Sequence, residues 1–420
     1  MKQHVIIGNS AAGIAAVESI RKRDKGAKII VISDEDYPAY CRCLISYYLA
    51  GEVQEDKIVY RPESFYKDNN VELYLNKKVD RVEPDQNRVI CADKSNFSYD
   101  YLLIATGARP KFLKLPGIEK RGVFGLRTIK DAQEIAGLLP ATKMACVLGG
   151  GLIGLKAAYA LRKRDIAVKV IIKSRQILSQ MLDLEAASLV QKRLEDNGIE
   201  LLFGQDAQEI IGNDALNAVK IESGKVLNCS LVVSGKGVQP NIELVKDTEV
   251  KVNEGIVAND TMQTSIGNIY AAGDVCESLD ISTGKLSVNA LWPVAVEQGK
   301  IAGANMSGER LVYDGSLGMN SIEFFGLPII SLGVYKTNDN SGFEELKIAN
   351  TNKGCYKKLI LKGNSLVGAI LVGDIKNSGV LLRLIREKTD VSSFKDKLLQ
   401  DNFSYPHIIN VIKEKEHWYV

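Results

Sequence analysis

Met144-Ala-Cys-Val-Leu-Gly-Gly-Gly-Leu-Ile-Gly-Leu-Lys-Ala-Ala-Tyr-Ala-Leu161 reads as a short apolar strand, a glycine turn and an alanine-rich helix in unbroken succession. The turn has the spacing Gly149-x-Gly151-x-x-Gly154, with Leu152 and Ile153 opening the helix. A dinucleotide site asks for that order. Gly149 permits the tight turn, Gly151 lets backbone approach a pyrophosphate, and Gly154 lets helix and strand pack closely. The helix N-terminus then offers unpaired N–H groups and a positive dipole end to phosphates. A second copy opens the chain. Val5-Ile-Ile-Gly-Asn-Ser-Ala-Ala-Gly-Ile-Ala-Ala-Val17 is again strand, turn and helix, with Gly8 and Gly13 in place, Ser10 at the middle glycine position, and Ala11 and Ala12 at the helix start.

The 420 residues suffice for two or three domains, and 45% apolar with 25% charged residues is ordinary for a globular chain. The formal net charge is +3 with basic and acidic residues interspersed, which makes no case for nucleic acid or a membrane surface. Lys156 interrupts the longest apolar run well short of the ~18 residues of a membrane span. Seven cysteines without a CxxC pair argue against a disulfide scaffold or structural zinc, and a reducing cytoplasm is the expected setting.

The strand from Lys28 to Ser33 ends in Asp34-Glu35, about twenty residues past the first turn, where an acid can accept from an adenosine ribose. Tyr101-Leu-Leu-Ile-Ala-Thr-Gly-Ala-Arg-Pro110 is a buried strand running into Ala105-Thr106-Gly107. Downstream, Gly267-Asn-Ile-Tyr-Ala-Ala-Gly-Asp-Val275 ends in Gly273-Asp274. Ala290-Leu-Trp-Pro-Val-Ala-Val-Glu-Gln-Gly-Lys-Ile-Ala-Gly303 then gives a turn and a small-residue helix. From about residue 316 the pattern changes to alternating strands at 329–334, 357–361 and 366–372, then a helical Val380-Leu-Leu-Arg-Leu-Ile385.

The two glycine turns, Ala105-Thr106-Gly107, Ala272-Gly273-Asp274 and Leu291-Trp292-Pro293 come in the order and spacing of the pyridine nucleotide-disulfide oxidoreductase superfamily, which the chain resembles over roughly residues 3–375. The nearest branch holds rubredoxin and ferredoxin reductases, NADH oxidases and the flavin part of nitrite reductase. The resemblance implies an α/β fold with two Rossmann-like domains and a small α+β C-terminal domain. Residues 1–112 and 245–315 would form a FAD domain, 113–244 an inserted NAD(P) domain, and 316–420 an interface domain that often makes a homodimer. By the same resemblance Asp274 accepts from the ribityl chain of FAD, Trp292 lies near the flavin edge, and the opening of the small-residue helix around Glu297-Gln298 points toward the pyrimidine end of the flavin.

Three positions separate the activities within that family. Arg42-Cys43 stands where the reductase branch has Arg-Pro and the peroxidase and CoA-disulfide branches have one redox cysteine. A cation beside the thiol favours thiolate, but the histidine base of those branches is replaced by Ala11, and no CxxxxC pair exists. His4, His407 and His417 all lie outside the motifs. Cys43 is thus either a redox thiol or a small packing residue, and the missing base favours the second. Lys156 stands where the family has a glutamate near nicotinamide and flavin. It is either a charge partner for reduced flavin or an exposed helix lysine. Lys173-Ser174-Arg175 follows the second strand of the central copy, with Ile172 where NAD sites want an acid. Two cations and a hydroxyl suit a 2′-phosphate, so NADPH is favoured over NADH, with a solvated turn as the alternative. The expected activity is a FAD-dependent NAD(P)H oxidoreductase that serves a rubredoxin- or ferredoxin-like acceptor. An oxidase, peroxidase or CoA-disulfide reductase working through Cys43 and a flavin-bearing partner subunit are the alternatives.

Overall fold

The computed structural model describes residues 1–337, 342–350, 353–400 and 402–409, so His417 lies outside the described residues. The opening strand Gln3–Ile7 carries Val5, Ile6 and Ile7, all buried, as a parallel strand covered on both faces must. It lies inside a five-stranded sheet in the order Ile269–Ala271, Tyr101–Ile104, Gln3–Ile7, Lys28–Ile32, Val71–Tyr74. All four pairings are parallel, and Val5 sits between Ile30 and Leu102.

The central sheet repeats this plan. Its order is Val123–Phe124, Leu231–Ser234, Met144–Leu148, Ala167–Ile172, Ile199–Phe203, again wholly parallel. Each sheet is preceded, just before the strand beside its glycine-turn strand, by a three-stranded antiparallel meander. One is Val79–Glu83, Arg88–Cys91, Asn96–Ser98, and the other is Ala207–Gly212, Leu216–Ile221, Val226–Asn228. Strand order and meander coincide, so the molecule contains one supersecondary plan twice. Ala108–Pro110 pairs antiparallel with Val238–Pro240, and the chain leaves and re-enters the first unit through these two adjacent strands.

The C-terminal sheet is antiparallel, in the order Met319–Phe324, Leu327–Gly333, Ser365–Val372, Cys355–Lys362, Phe343–Asn350. The alternation in the sequence marks the middle three of these strands. The outer two, with their exposed Glu and Lys positions, carry no clean apolar stripe. One face, with Ile322, Phe324, Ile329 and Ile370, shares a core with the central unit, while the other is covered by the helix Ser378–Arg386 through Leu381, Leu384 and Ile385. No helix among the described residues is long and apolar enough to cross a membrane.

Two helices hold the first unit together. Ala11–Arg23 crosses Trp292–Met306 at contact distance, because Gly299 and Gly303 present no side chain. A Cβ on Gly299 would stand 2.2 Å from the Ala12 carbonyl oxygen, and one on Gly303 would stand 2.6 Å from that of Ala16. Gly299→Ala must therefore push the helices apart and should cost about 1–3 kcal/mol. Gly137, in the helix Ile129–Leu138, has nothing within 4 Å of its Cβ position. Gly137→Ala should stabilise by about 0.4–1 kcal/mol. Urea midpoints of both variants check the pair, and equal shifts would contradict the packing account.

His4, in the opening strand, is fully buried, with neither ring nitrogen hydrogen-bonded, and stacks on Tyr101 at 5.6 Å. Burial lowers its pKa from 6.5 to about 4. Between these values the unfolded chain binds the extra proton, so this contribution is full above pH 6.5 and is lost as pH falls toward 4. From pH 7.5 to 5 it amounts to about 2 kcal/mol. Urea titrations at the two pH values should show that loss in the wild type and a smaller one in His4→Leu.

Candidate functional site

The first glycine turn is built by exclusion. Gly8 has φ 121°, and a Cβ there would lie 2.1 Å from the Ala105 carbonyl oxygen. A Cβ on Gly13 would lie 2.0 Å from the Gly8 carbonyl oxygen, so the helix sits directly on its own turn. Ser10 is the residue before the helix, and its hydroxyl makes no capping bond. Ala11 and Ala12 are buried. No acidic residue occupies the first helical turn, which leaves the N–H end electropositive. Beside it, Asn9 Nδ2 is buried with no partner, although Asn9 Oδ1 accepts from the Tyr66 hydroxyl at 2.9 Å. A side-chain-free cradle with an orphaned donor suits a pyrophosphate-bearing cofactor such as FAD.

The walls of this cradle come from three segments. Ala105-Thr106-Gly107 is sewn to residue 241: Thr106 Oγ1 donates to the Asn241 carbonyl at 2.8 Å, and Asn241 Nδ2 returns a bond to the Thr106 carbonyl at 2.9 Å. Gly273, with φ 80°, lies against Ala12, and its N–H donates to Gln298 Oε1 at 2.8 Å. Gln298 Nε2 donates in turn to Ser278 at 3.0 Å, so both ends of this buried amide brace the loop that carries Asp274. Trp292 is half-buried, edge-on to Tyr60 at 4.9 Å.

At the end of Lys28–Ile32 the two acids differ. Glu35 accepts from Tyr40 at 2.5 Å and pairs with Arg42, whereas Asp34 is exposed and engaged by no hydrogen bond or ion pair among the described residues. Arg42 also reaches Ser10 Oγ at 3.3 Å and the Arg127 carbonyl at 3.2 Å. Arg127 donates to Asp274 at 2.6 Å. Arg127 and Tyr40 carry no motif in the sequence, and only the fold brings them beside Asp274, Glu35 and Ser10.

The second turn repeats the first. A Cβ on Gly154 would lie 2.1 Å from the Gly149 carbonyl oxygen, and one on Gly149 would lie 2.6 Å from that of Gly235. Gly151 precedes the helix Leu152–Lys163 with open space at its Cβ position, and Leu152 and Ile153 are half-buried. Ile172 fills the space under Gly150, its side chain about 3.0–3.1 Å from that residue's Cβ position, so it packs behind the turn. Lys173 and Arg175 follow it, both exposed and without an ion pair among the described residues.

Lys156 does not point into solvent. It reaches the turn Cys41–Cys43 and lies over the Tyr47 ring at 5.3 Å. Desolvation lowers its pKa, opposed by the two thiols. Contact with the Cys43 thiol, and then the nearby amides of Cys43 and Leu44, lower Cys41 from 9.0 to about 6, while Cys43 is pushed up. The two thiols therefore titrate as one pair, and its other member, Cys41, is a residue the sequence motifs did not single out. Cys43 is the more exposed of the two.

The pyridine nucleotide-disulphide oxidoreductase family model matches residues 2–299, and that of the rubredoxin NAD+ reductase C-terminal domain matches residues 319–389. The assimilatory nitrate reductase electron transfer subunit of Bacillus subtilis is 34% identical over 404 residues, 96% of this chain and 51% of that protein. The nitrite reductase [NAD(P)H] of the same organism is 34% identical over 93% of this chain and 48% of its own length. The chain thus spans about half the length of these two relatives. An NADH oxidase of Methanocaldococcus jannaschii is 37% identical over 72% of this chain and 70% of its own. The NAD-dependent persulfide reductase of A. fulgidus superposes with a TM-score of 0.86 at 28% identity, over 99% of this chain and 84% of that one. With its two glycine cradles, its doubled parallel sheet and its C-terminal domain matched in turn, the chain belongs to the flavin-dependent pyridine nucleotide-disulphide oxidoreductases.

Proposed function

We propose that the chain is a FAD-dependent NAD(P)H oxidoreductase delivering electrons to a small iron-sulfur protein of the rubredoxin or ferredoxin kind. The observation that carries this reading is the pair of side-chain-free cradles in one chain, joined to a C-terminal domain of rubredoxin reductase type. Residues 1–112 and 245–315 would hold FAD, 113–244 the nicotinamide nucleotide, and 316–420 would cover the site and supply a homodimer face. Bound FAD would supply the two-electron exchange with nicotinamide, for which no side-chain acid or base is needed.

The protein's part is to bind, orient and exclude water. Gly8, Ser10, Ala11, Ala12 and Gly13 would present N–H groups to the pyrophosphate, with Arg42 adding charge at Ser10. Asp34 is the free acid for the adenosine ribose, because both Glu35 oxygens are taken by Tyr40 and Arg42. Ala105, Thr106 and Gly107 would form one wall and Gly273 and Asp274 the other, braced by Gln298, with Trp292 held edge-on to Tyr60 near the flavin edge. Gly149, Gly151, Leu152, Ile153 and Gly154 would take the nucleotide pyrophosphate, with Lys173 and Arg175 over a 2′-phosphate. Lys156 keeps a cation between the two units.

Loss of Asp274 removes a charged acceptor from the ribityl hydroxyls, worth roughly 1.5–3 kcal/mol. Asp274→Asn should therefore raise the FAD dissociation constant about 10- to 150-fold, read by fluorescence of released flavin, with the fold unchanged by circular dichroism. Unchanged retention would remove Asp274 from the site.

Lys173→Glu should lower the ratio of kcat/KM for NADPH over NADH by about 10- to 150-fold, one charge-assisted phosphate contact. A wild type that prefers NADH, with a ratio the variant does not move, would make 173–175 a solvated turn. The acceptor is tested by NAD(P)H oxidation against rubredoxin, ferredoxin, oxygen, peroxide and small disulfides. The proposal expects the iron-sulfur proteins to be fastest, with Cys43→Ser retaining most of that rate. Turnover with disulfide or peroxide alone would replace the reading.

A further inference from the structure

An ion pair lies at the end of the central sheet where the second glycine turn stands: Lys236 Nζ donates to Asp206 Oδ1 at 2.6 Å. The strands are parallel, so the loops after Leu231–Ser234, Met144–Leu148, Ala167–Ile172 and Ile199–Phe203 leave at one end, in that order across the sheet. Lys236 is in the first loop, the glycine turn in the second, Lys173 and Arg175 in the third, and Asp206 in the fourth. The pair thus joins the two outer loops, on either side of the two that would hold the nucleotide. Open parallel sheets bind ligands in the crevice beyond these carboxyl ends. Both loops are pinned there. Gly235 N–H donates to the Leu148 carbonyl at 2.8 Å, and a Cβ on Gly149 would lie 3.6 Å from the Lys236 nitrogen. Gln205 N–H donates to the Ile172 carbonyl at 3.1 Å, so the residue before Asp206 is bonded to the strand end where Ile172 stands in place of an acid. Asp206 is 9% exposed. Its Oδ1 accepts from Lys236 and from the Ala207 N–H at 3.0 Å, while its Oδ2 takes no hydrogen bond among the described residues. A carboxylate oxygen so placed has lost most of its water without gaining a donor, a state that a ligand hydroxyl relieves.

We propose that Asp206 and Lys236 read the adenosine 2′ position of the nicotinamide nucleotide, Asp206 accepting from the 2′-hydroxyl of NADH and Lys236 turning to the 2′-phosphate of NADPH. This rests on the reading of Gly149–Gly154 as the nucleotide pyrophosphate site, and goes beyond it in giving one pair of residues a part in both nucleotides. With NADH, Oδ2 gains the donor it lacks and Lys236 stays on Oδ1. With NADPH, a phosphate beside Asp206 is repelled unless the ammonium comes between them, so Lys236 moves onto the phosphate and joins Lys173 and Arg175 there. Its flexible stem and two remaining N–H groups permit that without moving the pinned backbone, which Lys111 N–H also holds at the Gly237 carbonyl, at 2.9 Å. Glu222, exposed, accepts from the Asp206 N–H at 3.2 Å and adds negative charge on the same side, so the ammonium is the group that makes a phosphate acceptable. Asp206 therefore favours NADH and Lys236 favours NADPH. A strap that only tied the loops together would have no such sign, and losing either partner would weaken both nucleotides alike.

The test is calorimetric titration of the purified holoprotein with NAD+ and NADP+, and with AMP and adenosine 2′,5′-bisphosphate, which differ in the same way without nicotinamide. Asp206→Asn should raise the ratio of NADP+ to NAD+ affinity and Lys236→Met should lower it, each by about 10- to 150-fold, one charge-assisted hydrogen bond. Lys236→Arg, which keeps the charge, should stay near the wild-type ratio, and the two adenosine fragments should shift in the same directions as the full nucleotides. A ratio that does not move, or that moves the same way in Asp206→Asn and Lys236→Met, would overturn the proposal. So would a shift seen with the full nucleotides and absent from the fragments. A wild type that binds neither nucleotide would instead sink the reading of the second turn, and the proposal with it. Asp206→Asn is close to isosteric and carries the test by itself if Lys236→Met does not fold. Flavin absorbance and circular dichroism confirm that each variant is folded.

Discussion

The helices after both glycine turns rest on their own turns through a contact that only a hydrogen atom can fill. In the first unit the Gly13 Cα faces the Gly8 carbonyl, and in the second Gly154 faces that of Gly149, with prospective Cβ distances of 2.0 and 2.1 Å. This closeness drops the helix N-terminus onto the end of the central strand, where its N–H groups and dipole converge on one point. Everything else in each unit is arranged around that point. The parallel sheet supplies the buried strand, the small residues of Trp292–Met306 let a second helix lie flat on the first, and the walls at 105–107 and 273–274 rise on either side. A single methyl group in either turn would move the helix end away from the site.

These turns were also the legible part of the sequence, for the same reason. Where sterics admit only glycine or another small residue, spacing alone reveals the geometry, and the two turns, 105–107 and 273–274 all occupy the ends of their expected strands. The C-terminal sheet was half legible. Its three middle strands were read as alternating strands and prove to be buried on both faces, but Met319–Phe324 and Phe343–Asn350 are edge strands with mixed surfaces and showed no period. What the sequence could not show was the polar lining. Arg127 meets Asp274 147 residues away, and Arg42 meets Glu35 across an irregular seven-residue turn, neither of which a periodic pattern spans. Gln298 was expected at the flavin pyrimidine, and it braces Gly273 and Ser278.

The thiol at 41 was hidden for another reason. The motif resemblance fixed attention on Cys43, the residue after Arg42. The chemistry depends instead on which sulfur has the amides and the lysine. Cys41 has the amides of the next turn beside it and the contact with Cys43, so the thiol two residues before the motif position shares in the ionisation of the pair. Reactivity is a property of the surroundings, and here these are mostly the turn itself, with Lys156 of the central unit adding a smaller share.

Lys156 and the two thiols are best understood as one group. A lysine half-sealed between units is costly to keep charged, and its pKa falls for that reason; a thiolate in the same place is costly too. Placed together they relieve one another, since an ammonium beside a thiolate and a neutral amine beside a thiol carry the same net charge. A proton can then move within the cluster without importing charge into the cleft. A glutamate in place of Lys156 would have the opposite sign and would drive both thiols to their protonated, unreactive forms. The lysine and the Cys-Arg-Cys turn therefore support each other's charged forms, and either one alone would be pushed by burial toward its neutral form.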